Sequence, residues 1–222
     1  MAGKLIVLEG TDGSGKSTQF GRLCQRMEEE GKPFRRIVFP RYQEESSALI
    51  RLYLNGAFGS HPGDVNAYAA SSFYAVDRYA SYVQDWGQAY QAGEIILSDR
   101  YTTSNAVHQG SKVPEGEREA FFRWLYEYEY DRLGLPKPDL VCYLDMPTDC
   151  AVSLLRSRET ATHTHADIHE RDDSYLAQCR SCAREAAQVL GWQRIPCVDG
   201  QGRLRTVEEI HQEIWTAVSR LL

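Results

Sequence analysis

The residues best suited to chemistry lie near the start of the 222-residue chain, at positions 10–18. Residues 10–17 fit the pattern G-x-x-x-x-G-K-[ST], in which the glycines permit a tight turn whose backbone N–H groups face a phosphate. Lys16 adds a positive charge near the outer phosphates, and the Ser17 hydroxyl can bind Mg²⁺. We therefore predict that a nucleotide binds to this loop. The predicted binding residues are Gly10, Thr11, Asp12, Gly13, Ser14, Gly15, Lys16, Ser17 and Thr18.

The elements that must position this loop follow from the hydrophobic pattern. An apolar run at residues 5–8 predicts a buried strand, and apolar residues at helical spacing predict a helix over residues 16–30. Further strands are predicted at residues 35–39, 94–98, 140–144 and 194–198. Helices are predicted at residues 44–54, 67–92, 102–110, 115–133, 148–158, 174–190 and 206–222. This alternation predicts one α/β domain over residues 1–222, in three layers, with helices on both faces of a five-stranded parallel sheet.

Two charged residues, Asp99 and Arg100, directly follow the third predicted strand. Ligands of parallel sheets bind at the carboxyl ends of the strands, so we expect both residues beside the phosphate loop. Asp99 can hold Mg²⁺ directly or through water, and Arg100 can bind a second phosphate. Arg41, after the second strand, has the same interpretation with a weaker signal. The Asp12 carboxylate would repel a phosphate, which favours a role toward another ligand, such as the sugar of an acceptor.

An aromatic ring and a guanidinium share one face of the predicted helix 67–92, because Tyr74 and Arg78 are four residues apart. Such a pair can stack on a base and form hydrogen bonds to it. From spacing alone, aromatic packing in the core or in a dimer interface is the more common interpretation of such a pair.

Composition narrows the class of protein. A net charge of −6 argues against a general nucleic-acid surface. No apolar run is long enough to span a membrane and no signal peptide is evident, so we expect a cytoplasmic protein without a membrane partner. The six cysteines are then expected to be reduced thiols. Cys179 and Cys182 are predicted to face inward from a helix, although a zinc site with His163, His165 and His169 remains an alternative.

Taken together, these motifs resemble the thymidylate kinase family of P-loop NTPases. The resemblance covers nearly the whole chain. The motifs that carry it are residues 9–18, Phe39-Pro40-Arg41, residues 74–78, Asp99-Arg100-Tyr101, residues 104–110, and the Leu-Pro-Lys-Pro-Asp stretch at 135–139. The resemblance implies a three-layer P-loop NTPase fold. It also implies transfer of the γ-phosphoryl group of ATP to dTMP, with Mg²⁺ as cofactor, by a homodimer that pairs through helix 67–92.

The resemblance also implies roles for single residues. Asp12 would contact the deoxyribose 3′-hydroxyl, Arg41 and Arg100 would bind the dTMP phosphate, and Asp99 would lie near Mg²⁺. Tyr74, where many relatives have Phe, would stack on thymine beside Arg78. Ser104 and Gln109 would face the base.

The family takes its catalytic arginine either from the phosphate loop or from a lid. The loop here has no arginine, so we expect the mobile lid, at about residues 158–173, to supply it. Arg156, Arg158 and Arg171 are the candidates, and Arg158 is favoured because it lies where the helix enters the lid. The lid has more acidic than basic residues, and this leaves weakened catalysis as a possibility.

Two other functions remain open from the sequence. One is a kinase of a different nucleoside monophosphate, or of a nucleoside, on the same fold. The other is a nucleotide-dependent switch or assembly ATPase. Against the switch, the charged and aromatic residues outside the phosphate loop indicate a second small-ligand pocket.

Overall fold

Five parallel strands form one sheet in the order β2-β3-β1-β4-β5. The computed structural model describes residues 2–162 and 173–222. At residues 158–162 and 173 it describes only the backbone. The strands are β1 (Lys4–Gly10), β2 (Phe34–Val38), β3 (Ile95–Asp99), β4 (Leu140–Asp145) and β5 (Gln193–Pro196). The helices are α1 (Lys16–Glu29), α2 (Ala48–Leu54), α3 (Ala67–Ser81), α4 (Gly87–Gln91), α5 (Thr102–His108), α6 (Arg118–Tyr126), α7 (Thr148–Thr162), α8 (Asp173–Val189) and α9 (Val207–Val218). The α/β class and the five-stranded parallel sheet are confirmed.

Helices cover both faces of the sheet because β1 is apolar on both sides. Leu5 and Val7 point into one core cluster, which contains residues of α5, α6 and α8. Ile6 and Leu8 point into the other, which α1 and α9 cover. The alternation of side chains along a strand therefore divides one apolar run between two cores, as expected for a three-layer protein.

Two predicted helices contain a π-helical turn. Residues 82–86 form the first, between α3 and α4, and residues 127–132 form the second, directly after α6. A π turn contains one extra residue and rotates the side chains that follow it. The first turn places Trp86 in the core, with its ring 6.3 Å from that of Tyr101.

The helix before the predicted lid is longer than expected. The sequence predicted that it ends at residue 158, but α7 continues to Thr162, and α8 begins at Asp173. No glycine or proline lies between residues 158 and 162, so nothing in the sequence ends the helix earlier. The side chains of Arg158 and Arg171 and the three lid histidines lie outside the described residues.

The carboxyl ends of β1 and β3 meet at one edge of the sheet, where Leu8 pairs with Asp99. This register brings the loop after β1 beside Asp99 and Arg100, as the sequence predicts. Within residues 2–162 and 173–222, no helix is both long enough and apolar enough to cross a membrane.

Candidate active site

The loop at residues 10–18 turns through two glycines with positive φ. Gly13 has φ 77° and Gly15 has φ 79°, a left-handed conformation that side chains other than glycine rarely adopt. A Cβ on Gly13 would lie 2.3 Å from the carbonyl oxygen of Ala151, so the loop also packs against the backbone of α7. Lys16 and Ser17 then begin α1, whose N-terminus favours an anion.

Lys16 joins this loop to the end of β3. Its Nζ donates a hydrogen bond of 2.9 Å to Asp99 Oδ1, and both side chains are largely buried. Burial lowers the pKa of Lys16, and so does the charge of Arg100, while Asp99 opposes both effects. A lysine in this position is well placed to attract phosphate oxygens.

A cavity adjoins the loop and contains most of the residues predicted to bind an acceptor. Its lining combines aromatic rings, which can pack on a flat ligand, with polar and charged side chains, which can orient it. The lining residues are Asp12, Phe39, Pro40, Tyr42, Leu54, Tyr74, Arg78, Arg100, Tyr101, Ser104, Asn105, His108 and Gln109.

Arg100 connects the loop with the cavity. Its Nη2 donates to Asp12 Oδ1, and its Nη1 donates to Ser104 Oγ at 3.3 Å and to His108 Nε2 at 3.1 Å. The residue has φ 66°, a strained conformation for a side chain of this size. Burial alone would lower the pKa of Arg100, but Asp12 and Glu9 raise it, so the guanidinium stays charged.

Arg78 is held deep in the cavity by one carboxylate. Its Nε donates to Glu129 Oε2 at 2.6 Å and its Nη2 donates to Glu129 Oε1, while both side chains are almost completely buried. Burial opposes its charge, but Glu129 overcomes this effect and raises the pKa of Arg78. A bidentate pair of this kind fixes the plane of the guanidinium.

The side chain of Arg41 does not line the cavity. Its Nε donates to Asp77 Oδ1 at 3.2 Å, and its Nη2 donates to Ser46 Oγ at 2.9 Å. Asp77 is only 1% exposed, and a buried carboxylate needs such partners. The residues on either side of Arg41, Pro40 and Tyr42, do line the cavity, so only the arginine side chain is directed elsewhere.

Comparison with known proteins identifies the family. Residues 8–214 match the family profile described as thymidylate kinase. The chain belongs to the thymidylate kinase family.

Individual members of the family align along most of the chain. The thymidylate kinase of Mycobacterium tuberculosis H37Rv is 29% identical over 191 residues, which cover 85% of this chain and 87% of the relative. A probable thymidylate kinase of Thermococcus kodakarensis is 30% identical over 225 residues, covering 98% of each chain. A structure of thymidylate kinase from Candida albicans superposes with a TM-score of 0.70 at 22% identity, covering 99% of this chain and 92% of that one. That superposition shows the same fold.

Family membership confirms the function expected from the sequence. The chain is an ATP-dependent nucleoside monophosphate kinase, and its acceptor is dTMP. The comparisons favour neither a kinase of another monophosphate nor a nucleotide-dependent switch.

Several residues that line the cavity were not predicted from the sequence. Asn105 and His108 lie on the same short helix as Ser104, α5, and line the cavity with it. Tyr42 directly follows the predicted Arg41. These three residues could have been predicted, because each is adjacent in the sequence to a residue that was predicted to bind the acceptor. Glu129 had none, because it lies 51 residues from Arg78 in the sequence.

The metal expectations involve two different parts of the chain. Ser17 and Asp99 supply hydroxyl and carboxylate oxygens, the ligand type that Mg²⁺ prefers, and Asp99 is held in place by Lys16. The described residues contain no group of three or more histidines, cysteines or acids suited to a metal ion. Cys179 and Cys182 are completely buried, which confirms that they face inward, and the three histidines of the zinc alternative lie outside the described residues.

Proposed function

We propose that the chain phosphorylates dTMP in a two-part cleft, with ATP on the loop at residues 10–18 and dTMP in the adjoining cavity. The observation that carries this proposal is the position of Arg100, which contacts Asp12 of the loop as well as Ser104 and His108 of the cavity. A guanidinium at that junction can bind the acceptor phosphate and neutralise charge on the transferring group.

On the donor side, the backbone N–H groups of the loop would bind the phosphates of ATP, and Lys16 would contact the outer ones. Ser17 and Asp99 would hold Mg²⁺, Asp99 directly or through water. The ion, when bound with ATP, supplies positive charge that stabilises the transferring phosphoryl group. Lys16 would lie beside these phosphates and the ion, because its Nζ is 2.9 Å from Asp99 Oδ1.

On the acceptor side, Asp12 would accept from the 3′-hydroxyl of the deoxyribose. The ring of Tyr74 would stack on thymine, and Arg78, Ser104 and Gln109 would face its polar edge. For Gln109 there is specific support: its Oε1 is buried and forms no hydrogen bond within the described part of the chain. Arg41 would join the acceptor phosphate only by leaving Asp77.

The chemistry we propose is direct in-line transfer without a covalent enzyme intermediate. Lys16 and Arg100 would flank the transferring group, and Arg158 of the lid would add the third positive charge that the loop lacks. Positioning and charge neutralisation account for catalysis of this kind, because no covalent bond forms between the enzyme and the phosphoryl group.

We further propose that the chain is a cytoplasmic homodimer. The outer face of α3 and the turn after it is apolar and exposed at Val76, Tyr79 and Val83. A stripe of this kind is typical of a protein–protein interface. All six cysteines are free thiols, which suits a reducing compartment.

The test is a coupled assay of ADP release with dTMP, dUMP, UMP, dCMP and dGMP as acceptors. We expect a strong preference for dTMP, and losses of activity of at least about 100-fold in Lys16→Ala and Arg100→Ala. The matched controls Lys32→Ala and Arg132→Ala change exposed residues that do not line the cavity, and they should keep wild-type rates. Near wild-type rates in Arg100→Ala would refute the role proposed for Arg100. ATP turnover at a rate that none of the acceptors changes would refute the proposal that the cavity holds a phosphate acceptor.

A further inference from the structure

One buried carboxylate, Asp145 at the end of β4, is contacted by three arginines. Arg180 Nε donates to Asp145 Oδ1 at 2.9 Å, and Arg194 Nε donates to Asp145 Oδ2 at 2.6 Å. Arg184 Nε lies 3.3 Å from the same Oδ2 in an ion pair. The Asp145 side chain is only 1% exposed, whereas those of Arg184 and Arg194 are 47% and 46% exposed. The carboxylate therefore lies beneath three guanidiniums that reach the surface.

The third arginine exceeds what Asp145 needs. Arg180 and Arg194 donate to different oxygens, so each oxygen of the carboxylate already has a charged donor. Arg184 forms no hydrogen bond within the part of the chain that the structure describes. Three positive charges then surround one negative charge, and like charges at close range disfavour the folded state. A ligand that carries negative charge would compensate this excess.

The three arginines line a surface cavity that is separate from the acceptor cavity. It shares no described residue with the acceptor cavity or with the loop at residues 10–18. Thr148, Ser181 and Gln188 also line it and add neutral hydrogen-bond donors. The one acid among its described lining residues, Glu185, accepts a hydrogen bond of 3.0 Å from Arg118 Nη1 and so has a cation of its own. The cavity is therefore positively charged in a chain whose net charge is −6.

We propose that this arginine cavity is a second anion site, which binds an oligophosphate chain, either inorganic or carried by a nucleotide. Guanidiniums bind phosphate oxygens through pairs of N–H groups. Arg180 and Arg184 are four residues apart on α8, so their guanidiniums lie side by side, and Arg194 joins them from β5. Asp145 holds these groups in place before a ligand binds, which lowers the entropic cost of binding. The site goes beyond phosphoryl transfer and does not depend on the function proposed for the cleft.

Calorimetric titration of the full chain with inorganic tripolyphosphate tests the proposal. In the absence of ATP and dTMP, we expect the wild type to bind tripolyphosphate at two sites, the loop at residues 10–18 and the arginine cavity. Lys16→Ala should weaken binding to the loop and leave the second site unchanged. Arg184→Gln should weaken the second site at least about tenfold, the usual effect of losing a charge-assisted hydrogen bond. It should also keep the wild-type kcat and KM for both substrates.

Arg22→Gln is the matched control. The Arg22 side chain is 42% exposed, similar to Arg184, but it pairs with a single acid, Glu208, and lies on α1, across the sheet from α8. This variant should keep both affinities for tripolyphosphate within about twofold of the wild-type values. Arg194→Gln should weaken the second site as Arg184→Gln does, which keeps the proposal testable if Arg184→Gln fails to fold.

A wild type that binds tripolyphosphate at one site, with all binding lost in Lys16→Ala, overturns the proposal, because only the loop would then bind phosphates. Unchanged affinity at the second site in Arg184→Gln and Arg194→Gln overturns it as well. ATP titrated into Lys16→Ala distinguishes the two sources of phosphate. An affinity equal to that of tripolyphosphate supports recognition of the phosphate chain alone, and a higher affinity supports a nucleotide. Binding of ATP without binding of tripolyphosphate overturns the proposal, because the nucleoside would then be the group recognised.

Discussion

At the scale of single residues, Gly13 and Gly15 test how the phosphate loop is held. Both have positive φ, but a Cβ on Gly15 would meet no atom within 4 Å, whereas a Cβ on Gly13 would collide with the backbone of Ala151. We expect Gly15→Ala to lower the free energy of unfolding by about 1–2 kcal/mol, the cost of a left-handed alanine. Gly13→Ala should lower the free energy of unfolding by about 1–3 kcal/mol more than Gly15→Ala does, because its Cβ also collides with Ala151. Urea denaturation measures both, and equal losses would show that packing against α7 contributes nothing.

Asp12 supplies a second prediction at this scale, because it combines a loop position with a contact to Arg100. Asp12→Asn keeps the shape of the side chain and removes the charge that orients the guanidinium. We expect kcat/KM for dTMP to fall about 10–100-fold, the usual value of a charge-assisted hydrogen bond, and KM for ATP to change less than about threefold. Asp131→Asn, an exposed carboxylate that does not line the cavity, is the control. An equal loss of apparent affinity for both substrates would contradict this acceptor-side role.

Residue types and local spacing were enough to predict that Lys16, Asp99 and Arg100 lie together, since each is within a few residues of a strand end. They could not predict that Arg41 pairs with Asp77, which lies 36 residues away. Glu129 was missed for the same reason. A sequence pattern locates a charge on an element, but which buried charge it pairs with depends on how distant elements pack.

At the scale of elements, Lys112 links three segments. Its Nζ donates to the Tyr53 hydroxyl of α2 at 2.8 Å and to the carbonyl oxygen of Val65, just before α3, at 3.1 Å. Burial lowers the pKa of Lys112 to about 8. Below pH 8 the folded and unfolded chains both carry this proton. The cost of burying the charged ammonium then lowers the free energy of unfolding by its full amount.

This shift predicts how stability depends on pH. Between pH 8 and about 10.5 the unfolded chain keeps the proton and the folded chain loses it, so stability from this group rises with pH. The free energy of unfolding of the wild type, minus that of Lys112→Met, should therefore increase by about 1–3 kcal/mol from pH 7.5 to pH 10.5. Taking the difference cancels the buried tyrosines and cysteines common to both proteins. Urea denaturation at the two pH values provides the comparison, and a constant difference would contradict the shift.

The order and type of the elements were largely predictable, because strand and helix periods are local properties of the sequence. The π turn at residues 82–86 was not, since the sequence 67–92 is compatible with one uninterrupted helix. The extra residue is accommodated because it places Trp86 in the core beside Tyr82 and Tyr101. That gain comes from tertiary packing, which periodicity does not measure.

At the scale of the whole molecule, α3 has one buried face and one exposed apolar face. Its inner face carries Asp77 and Arg78, both buried, and its outer face exposes Val76 and Tyr79. A partner subunit packed on the outer face would immobilise the helix that carries Arg78. The proposed dimer and the acceptor cavity would then be coupled through one element.

The double variant Val76→Glu/Val83→Glu tests this arrangement. Val76 is 50% exposed and Val83 60% exposed, so charges there should leave the fold of one chain intact but repel across a two-fold interface. We expect the wild type to sediment at about twice 25.2 kDa, the mass of one chain, and the variant at the mass of one chain. Val189→Glu, which is exposed to a similar degree on α8, should remain dimeric.

The coupling adds an enzymatic measurement to the sedimentation result. Because Arg78 lies on α3 and the phosphate loop does not, loss of the partner should raise KM for dTMP while KM for ATP stays the same. A wild type that sediments as a single chain, or a double variant that remains dimeric, would show that the apolar stripe on α3 is not the interface. A monomeric variant with unchanged KM for both substrates would show that the interface and the acceptor cavity act independently.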